Sequence, residues 1–474
     1  MRRIDVAVDQ RDGQRLEERG ISVDIQIMRS DAGVMSLQTA LEQPVNTVLS
    51  GPAGGVRGAT YLASFSGYPN ILSMDMGGTS TDICLSVDED PRLTTDTWVS
   101  HYPVKVPIID ITTIGAGGGS LAYVSTAGAL RVGPQSAGAD PGPACYGRGG
   151  TRPTVTDANV VLGRLPAELA GGEITLDVAA AREAVWVHVA EPLGLSIEEA
   201  AYGIIRIVNE NMLGALRVVS VQRGIDPREL TLVPFGGAGP VHGGELAELL
   251  SIATMMVPPM PGVLSALGFL LSDVRNVFTT TKIGIIGKLD IEDYATSFAK
   301  LEAQAAEWLV REGVAEGDRA LEIAADLRYK GQAFEMPITL GAERDEATWT
   351  DVRTRFDAAH KQLYGYDQPF AEVEVVTLRV TAIGRNRKLS LPELAVEGED
   401  ASTAKISEQS VYFSGKFVPT GIYDRAILRP GNVVAGPAII TQLDCTTVIT
   451  PDQTMHVDRF GNLIVRAKGG SNGN

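Results

Sequence analysis

The run Asp75-Met76-Gly77-Gly78-Thr79-Ser80-Thr81-Asp82 sets two carboxylates around a glycine pair and three hydroxyls. Apolar residues flank it on both sides, Ile71 to Met74 before and Ile83 to Leu85 after, which is the pattern of a β-hairpin with the polar run at its tip. Glycines lack a Cβ, so a phosphate oxygen can approach the main-chain N–H groups there, and the hydroxyls add further donors. Asp75 at the strand end could hold Mg2+ or its water shell, because hard cations prefer oxygen ligands. A Gly-Gly pair alone would indicate only a hairpin turn. The acidic and hydroxyl residues around it are what point to phosphate.

A second cluster places the apolar run Leu232 to Phe235 before Gly236, Gly237, Ala238 and Gly239, with His242 just beyond and the helix-forming Glu245 to Leu250 after it. A strand-to-helix glycine turn can lie flat against a nucleoside or present a helix N-terminus to an anion, and it can equally be a tight turn for packing. One hydroxyl-rich and one apolar glycine turn in a single α/β domain suit a nucleotide bound between them. Asp110 ends the apolar run Val106 to Ile109 and opens onto Gly115 to Gly119. There it could accept a proton or cap the loop as a structural residue. Asp140, Cys145 and Asp157 share one motif and could ligate a metal, or Cys145 could be a nucleophile. No base is visible nearby, so a buried structural cysteine is the favoured reading, with Asp157-Ala-Asn159 capping a helix. His242 could contact a ligand or be a satisfied buried imidazole.

The elements that must position these residues read as α/β from Thr47 to about residue 275, short β-branched runs alternating with glycine turns and amphipathic helices. One helix is expected over Ile197–Arg223, opened by a Ser196/Glu199 capping box and closed by Gly224. Before it, VDIQIMRSDAG reads as a strand entering a turn. After Asn276 the order is strand, helix, two strands, helix, strand, an α+β arrangement. Past a charged linker near 391–406 the sequence is short strands and Gly/Pro turns, ending in a polar, disordered-looking GGSNGN. The expected domains are therefore 1–275, 276–390 and 391–474. The pairs Met255-Met256 and Tyr364/Tyr366 are read as packing.

The 474 residues carry a formal charge of −17, with 44% hydrophobic and 21% charged residues. Those proportions belong to a globular protein of more than one domain, and the negative charge argues against a nucleic-acid or anionic-membrane surface. No apolar run reaches the length of a membrane span. Cys84, Cys145 and Cys445 are far apart, so neither a disulfide framework nor a structural zinc site is supported. The reading is a cytoplasmic protein.

Five motifs in order, GPAGGVRGA (51–59), DMGGTSTD (75–82), VPIIDITTIGAGGGSLA (106–122), VGPQSAGADPGPACYGRGGTRPTVTDANVVLGRL (132–165) and GIDPRELTLVPFGGAGPVHG (224–243), resemble the hydantoinase A/5-oxoprolinase family. That family includes the nucleotide-binding subunits of acetone and acetophenone carboxylases. YDRAILRPGNVVAGPAIITQLDCTTVITP resembles its carboxyl-terminal domain. The resemblance implies an actin/hexokinase-like (ribonuclease H-like) nucleotidase lobe followed by a small α+β domain and a β-rich carboxyl-terminal domain. It implies ATP and Mg2+ as cofactors, with Asp75 to Asp82 as a phosphate hairpin, Asp75 toward the metal and Gly236 to Gly239 beside the adenosine. A second divalent metal of unknown identity is left open.

The activity implied is phosphorylation of the carbonyl oxygen of a cyclic amide or imide, with Asp110 orienting a ring N–H or accepting a proton, and hydrolysis shared with a hydantoinase B-type partner subunit. A ketone carboxylase subunit and a non-catalytic scaffold are the alternatives. Two departures from the family pattern stand out. Thr112 occupies a position where the family usually has His, and residues 1–70 contain no match to the hairpin of the amino-terminal lobe. The expectation is a chain lacking that lobe, either a split subunit whose lobe comes as a separate chain or a shortened form of an ordinary subunit.

Overall fold

The computed structural model describes residues 18–20, 25–95, 97–99, 102–169, 174–341, 343–387 and 389–468. The tail GGSNGN and most of the charged opening segment lie outside them. The chain divides into two compact units, one of residues 1–50 with 271–389 and one of 51–270 with 390–474. The expected boundaries near 275 and 390 fall close to these joints, but the grouping differs. Residues 1–50 do not belong with the phosphate hairpin, and 391–474 do not stand alone. Strand pairing is the reason: Val34 is bonded to Val274 in one unit, and Leu463–Ala467 pairs with Thr254–Val257 in the other.

The larger unit is built on a nine-stranded sheet. Its order is Thr112–Ile114, Thr81–Val87, Ile71–Met76, Thr231–Phe235, Thr254–Val257, Leu463–Ala467, Gln453–Val457 and Val433–Ala435, with Asp90–Pro91 beside Thr81–Val87. Ile71–Met76, Thr231–Phe235 and Thr254–Val257 are parallel, and the remaining neighbours are antiparallel. All five residues of Thr231–Phe235 are buried, as a central strand covered on both faces requires. The helix Ile197–Val219 buries Ile204, Val208, Met212 and Leu216 in one core with Leu72, Met74, Ile83 and Leu85.

That helix starts with the expected capping box, the Ser196 hydroxyl accepting from Glu199 N. It ends four residues earlier than Arg223, with Ser220 as its C-cap, the Ser220 hydroxyl donating to Leu216 O at 2.7 Å. A single 3-10 turn follows, Val221–Arg223, closed by Gly224 at φ +76°. The helix after the second glycine cluster starts earlier than Glu245, at Gly239. Its glycines serve close packing: a Cβ at Gly243 would come within 2.6 Å of Met255 Sδ and one at Gly244 within 2.8 Å of Gln453 Oε1. A four-stranded sheet of Lys405–Phe413, Lys416–Asp424, Ala438–Thr441 and Thr446–Ile449 completes this unit.

The smaller unit carries a six-stranded sheet in the order Gln26–Met28, Val34–Ser36, Val274–Ile285, Val373–Gly384, Arg319–Tyr329 and Met336–Thr339. With the helices Ile291–Arg311 and Glu346–Tyr364 it has the element order read after Asn276. Asp290 and Asp345 cap the two helices. Arg29 and Asp31 form a buried pair here at 3.1 Å, and Arg29 also donates to Asn276 Oδ1.

Candidate functional site

Asp75 and Asp82 face each other across the antiparallel hairpin, in register as the last strand pair but one before the tip. Both are partly buried, and no Lys or Arg is ion-paired with either among the described residues. Burial, with the Asp82 carboxylate next, pushes the Asp75 carboxyl up to about 6. Asp82 is raised by burial too, opposed by the Thr113 hydroxyl, which donates to its Oδ1 at 2.5 Å. Two carboxylates that penalise each other's ionisation, with no neighbouring protein cation, fit a hard divalent cation.

At the tip, Gly77 N donates to Ser80 O at 3.2 Å. Cβ atoms built on Gly77 or Gly78 would meet nothing within 4 Å, so both glycines border open space. The N–H groups of Gly78 and Gly237 have no acceptor among the described residues. The second glycine cluster lies directly on this hairpin: Ala238 N donates to Met76 O at 3.0 Å. Gly236, at φ +76°, approaches so closely that a Cβ would lie 2.6 Å from Met76 O and against Asp75 Oδ1. The Gly115–Gly119 loop is pinned to the same tip. Gly118 N and Gly119 N donate to Gly77 O and Gly78 O at 2.9 and 2.6 Å, and Thr81 Oγ1 donates to Ala116 O at 2.5 Å.

These segments border a cavity of about 320 Å³, lined by Gly77 and Gly78, Gly118, Gly237 and Ala238 together with Tyr146, Thr156, Asn159, Leu165, Val241, His242 and the segment Gln442–Thr446. Thr79, Ser80, Thr81 and Asp82 are hairpin residues outside the lining, and Asp75 sits behind Gly236. Sequence reasoning missed Gln442–Thr446, Tyr146 and Thr156 as lining residues. The five-residue segment carried one signal, the Gln-Leu-Asp-Cys-Thr run that interrupts the apolar stretches on either side.

Asp110 lies elsewhere. Its carboxylate takes two bonds from Arg223, Nη1 at 2.5 Å and Nη2 at 3.2 Å, with Arg92 Nε at 3.8 Å, and it does not line the cavity. Both oxygens of this carboxylate are therefore engaged by arginine. Asp157 is a capping residue, as read: its carboxylate accepts from Ala144 N, Cys145 N, Thr154 N and the Thr154 hydroxyl. Burial, then the Asp157 carboxylate, pushes the Cys145 thiol far up, which leaves it a poor nucleophile. Among the described residues no three His, Cys, Asp or Glu side chains gather where they could hold a metal ion, so the second divalent metal finds no such ligand group there. No helix among them is long and apolar enough to cross a membrane.

A hydantoinase/oxoprolinase family model matches residues 10–277, and the hydantoinase/oxoprolinase C-terminal domain matches residues 290–466. The chain belongs to the hydantoinase/oxoprolinase family. Among the relatives of this family member, an uncharacterized protein of Methanocaldococcus jannaschii is 38% identical over 94% of the chain and 66% of its own length. The caprolactamase alpha subunit of Pseudomonas jessenii is 35% identical over 93% of the chain and 64% of its own length. The crystal structure of the ATP-dependent caprolactamase of that organism superposes with a TM-score of 0.85 at 32% identity, covering 97% of this chain and 67% of that one. Nucleotide-free acetone carboxylase gives 0.79 at 27% identity, over 96% of this chain and 66% of that one. The chain thus spans just under two thirds of the length of the first curated relatives it matches.

Proposed function

We propose that this chain is the ATP-using part of an amidohydrolase that phosphorylates the carbonyl oxygen of a cyclic amide or imide, acting with a hydantoinase B-type partner subunit. The observation that carries the reading is the convergence of the Asp75–Asp82 hairpin and the Gly236–Gly239 turn on one cavity, with free N–H groups at Gly78 and Gly237. The sheet order supports an actin/hexokinase-like lobe: three antiparallel strands ending at Ile71–Met76, then two parallel ones. The likeness to caprolactamase supports a cyclic amide as substrate.

In this proposal the hairpin glycines take the phosphates on their main chain, and Asp75 and Asp82 hold Mg2+. That ion would neutralise phosphate charge as it develops. The amide oxygen attacks the γ-phosphorus and the bond to the ADP oxygen breaks; water adds to the activated carbon, the C–N bond breaks as the nitrogen takes a proton and the ring opens to an acyl phosphate, and a second water releases phosphate and leaves the carboxylate. Positioning and main-chain donors supply most of the rate. The other side of the phosphate cradle is assigned to an amino-terminal lobe, on the same polypeptide or another. Asp110 enters as a base only if Arg223 releases it.

The test is phosphate release from ATP by the chain combined with that lobe and the partner, with and without lactams, hydantoins and ketones plus bicarbonate. Lactam- or hydantoin-stimulated release that vanishes in Asp75→Ala is expected. Stimulation by ketone and bicarbonate alone would favour a carboxylase. Stimulation untouched by Asp75→Ala, or no ATP binding by any assembly, would leave the scaffold reading.

A further inference from the structure

Two residues that line the cavity carry buried side-chain oxygens with nothing to accept from. Asn159 is 3% exposed and its Oδ1 has no partner; Gln442 Oε1 is likewise buried and unpartnered. Buried acceptors left open in this way call for a donor. Their orientation follows from a chain of obligatory roles. Arg164, wholly buried, holds Glu245 at 2.6 Å. The other oxygen of Glu245 can only accept, so the Asn209 group 2.6 Å from it is the amide nitrogen. Asn209 Oδ1 therefore faces His242 Nδ1 at 2.8 Å, and that nitrogen carries the proton. His242 Nε2 is left with a lone pair, and Asn159 presents its Nδ2 to it at 3.4 Å. Only Asn159 Oδ1 remains without a partner. Burial, opposed by Glu245 and aided by Arg164, pulls the imidazole down to about 4 and keeps it neutral. Gln442 is fixed independently, its Nε2 donating to Pro259 O at 3.1 Å and to Asp444 Oδ1 at 2.5 Å.

We infer that Asn159 Oδ1 and Gln442 Oε1 are the acceptors by which this cavity recognises donor groups of a nucleoside, base amine or ribose hydroxyl, and that His242 is the positioning residue that keeps Asn159 turned toward it. The inference rests on the nucleotide reading above. The glycine end of the cavity, beside Asp75 and Asp82, suits the phosphates. Asn159 lies one helical turn beyond Thr156, whose hydroxyl bonds Gly118 O, and so faces the uncharged part of the ligand.

Two measurements test it. Nitrogen-15 spectra of the full chain at neutral pH should show His242 protonated at Nδ1 and bare at Nε2; the opposite tautomer would overturn the relay whatever the ligand. Titration with Mg2+ and ATP, purine riboside triphosphate, 2′-deoxy-ATP or 3′-deoxy-ATP, taken to millimolar concentration, reads recognition. Asn159→Leu and Gln442→Leu should each weaken ATP roughly five- to tenfold, the worth of one neutral hydrogen bond. At least one analogue lacking a donor should be insensitive to the substitution. His242→Gln, whose amide can accept from Asn159 and donate to Asn209, should keep the discrimination, and His242→Leu should lose it. Wild-type ATP binding that ignores both substitutions refutes this inference alone. No binding of any triphosphate by the wild type combined with the amino-terminal lobe, with the expected tautomer present, refutes the nucleotide reading and the ligand named here with it.

Discussion

Gly236, packed on the phosphate hairpin, and Gly78, which lines the cavity, should fail in different ways when changed to alanine. At Gly236 the backbone sits at φ +76°, and a Cβ would lie 2.6 Å from Met76 O and against Asp75 Oδ1. The left-handed conformation costs an alanine about 1–2 kcal/mol, and overpacking against a backbone oxygen adds about 1–3 kcal/mol. The sum, about 2–5 kcal/mol, corresponds to roughly 4–10 °C of melting temperature at about 2 °C per kcal/mol for a unit of this size. At Gly78 a Cβ meets nothing within 4 Å, so Gly78→Ala should melt within about 1 °C of the parent. Its methyl group would instead stand where a phosphate must come to reach the free N–H. Calorimetric melting and nucleotide titration of the two variants check both halves. A Gly236→Ala protein as stable as the parent would refute the steric argument. A Gly78→Ala protein with undiminished nucleotide affinity would refute the placement of phosphate at the tip.

The Asp75 carboxyl, ordinarily near 3.8, is raised to about 6 by burial and by Asp82, so folding favours its protonated form. Stability from this group is full below the ordinary value and is lost as pH rises through about 6, a loss of about 3 kcal/mol. Urea unfolding of the metal-free chain from pH 4 to 7 should show that loss, Asp75→Asn should not, and Mg2+ should restore it; a wild-type profile identical to Asp75→Asn contradicts the cause given. Asp110→Asn should lower stability by about 1–3 kcal/mol through the broken Arg223 pair, while leaving nucleotide affinity within twofold. Loss of substrate-stimulated turnover at unchanged melting temperature would instead make Asp110 a base. Asp157→Ala removes the acceptor of four hydrogen bonds and should cost about 3 kcal/mol or more. It should also expose Cys145 to alkylation, and a thiol as inert as in the parent would argue against that role.

The hairpin was legible because its information is local: alternating apolar strands, a glycine pair and flanking acids lie within sixteen consecutive residues, 71–86. So was one helix start, where Ser196 with Glu199 announces a cap. The domain grouping was not, since it depends on pairings such as Val34 with Val274 and Met255 with Val465, whose partners share no local pattern. The arginine partner of Asp110 was hidden for the same reason. A carboxylate at a strand end looks the same whether it meets solvent or an arginine 113 residues away. The glycines of 239–244 read as a loop because helix propensity disfavours them, whereas close packing on Pro234 and Met255 outweighs that preference.

The interleaving of the two units has a consequence for how the protein is made. Strand Thr254–Val257 leaves the ribosome some two hundred residues before Leu463–Ala467, the strand that covers its open side. Until then a buried-type strand, with Met255, Met256 and Val257, is an exposed edge of the kind that seeks any passing strand. The Gln442–Thr446 wall of the cavity also arrives late. During synthesis the phosphate hairpin can form early from neighbouring residues, but the cavity behind it closes only when translation is nearly complete. Chaperone demand and aggregation should therefore concentrate on nascent chains between about residues 257 and 463.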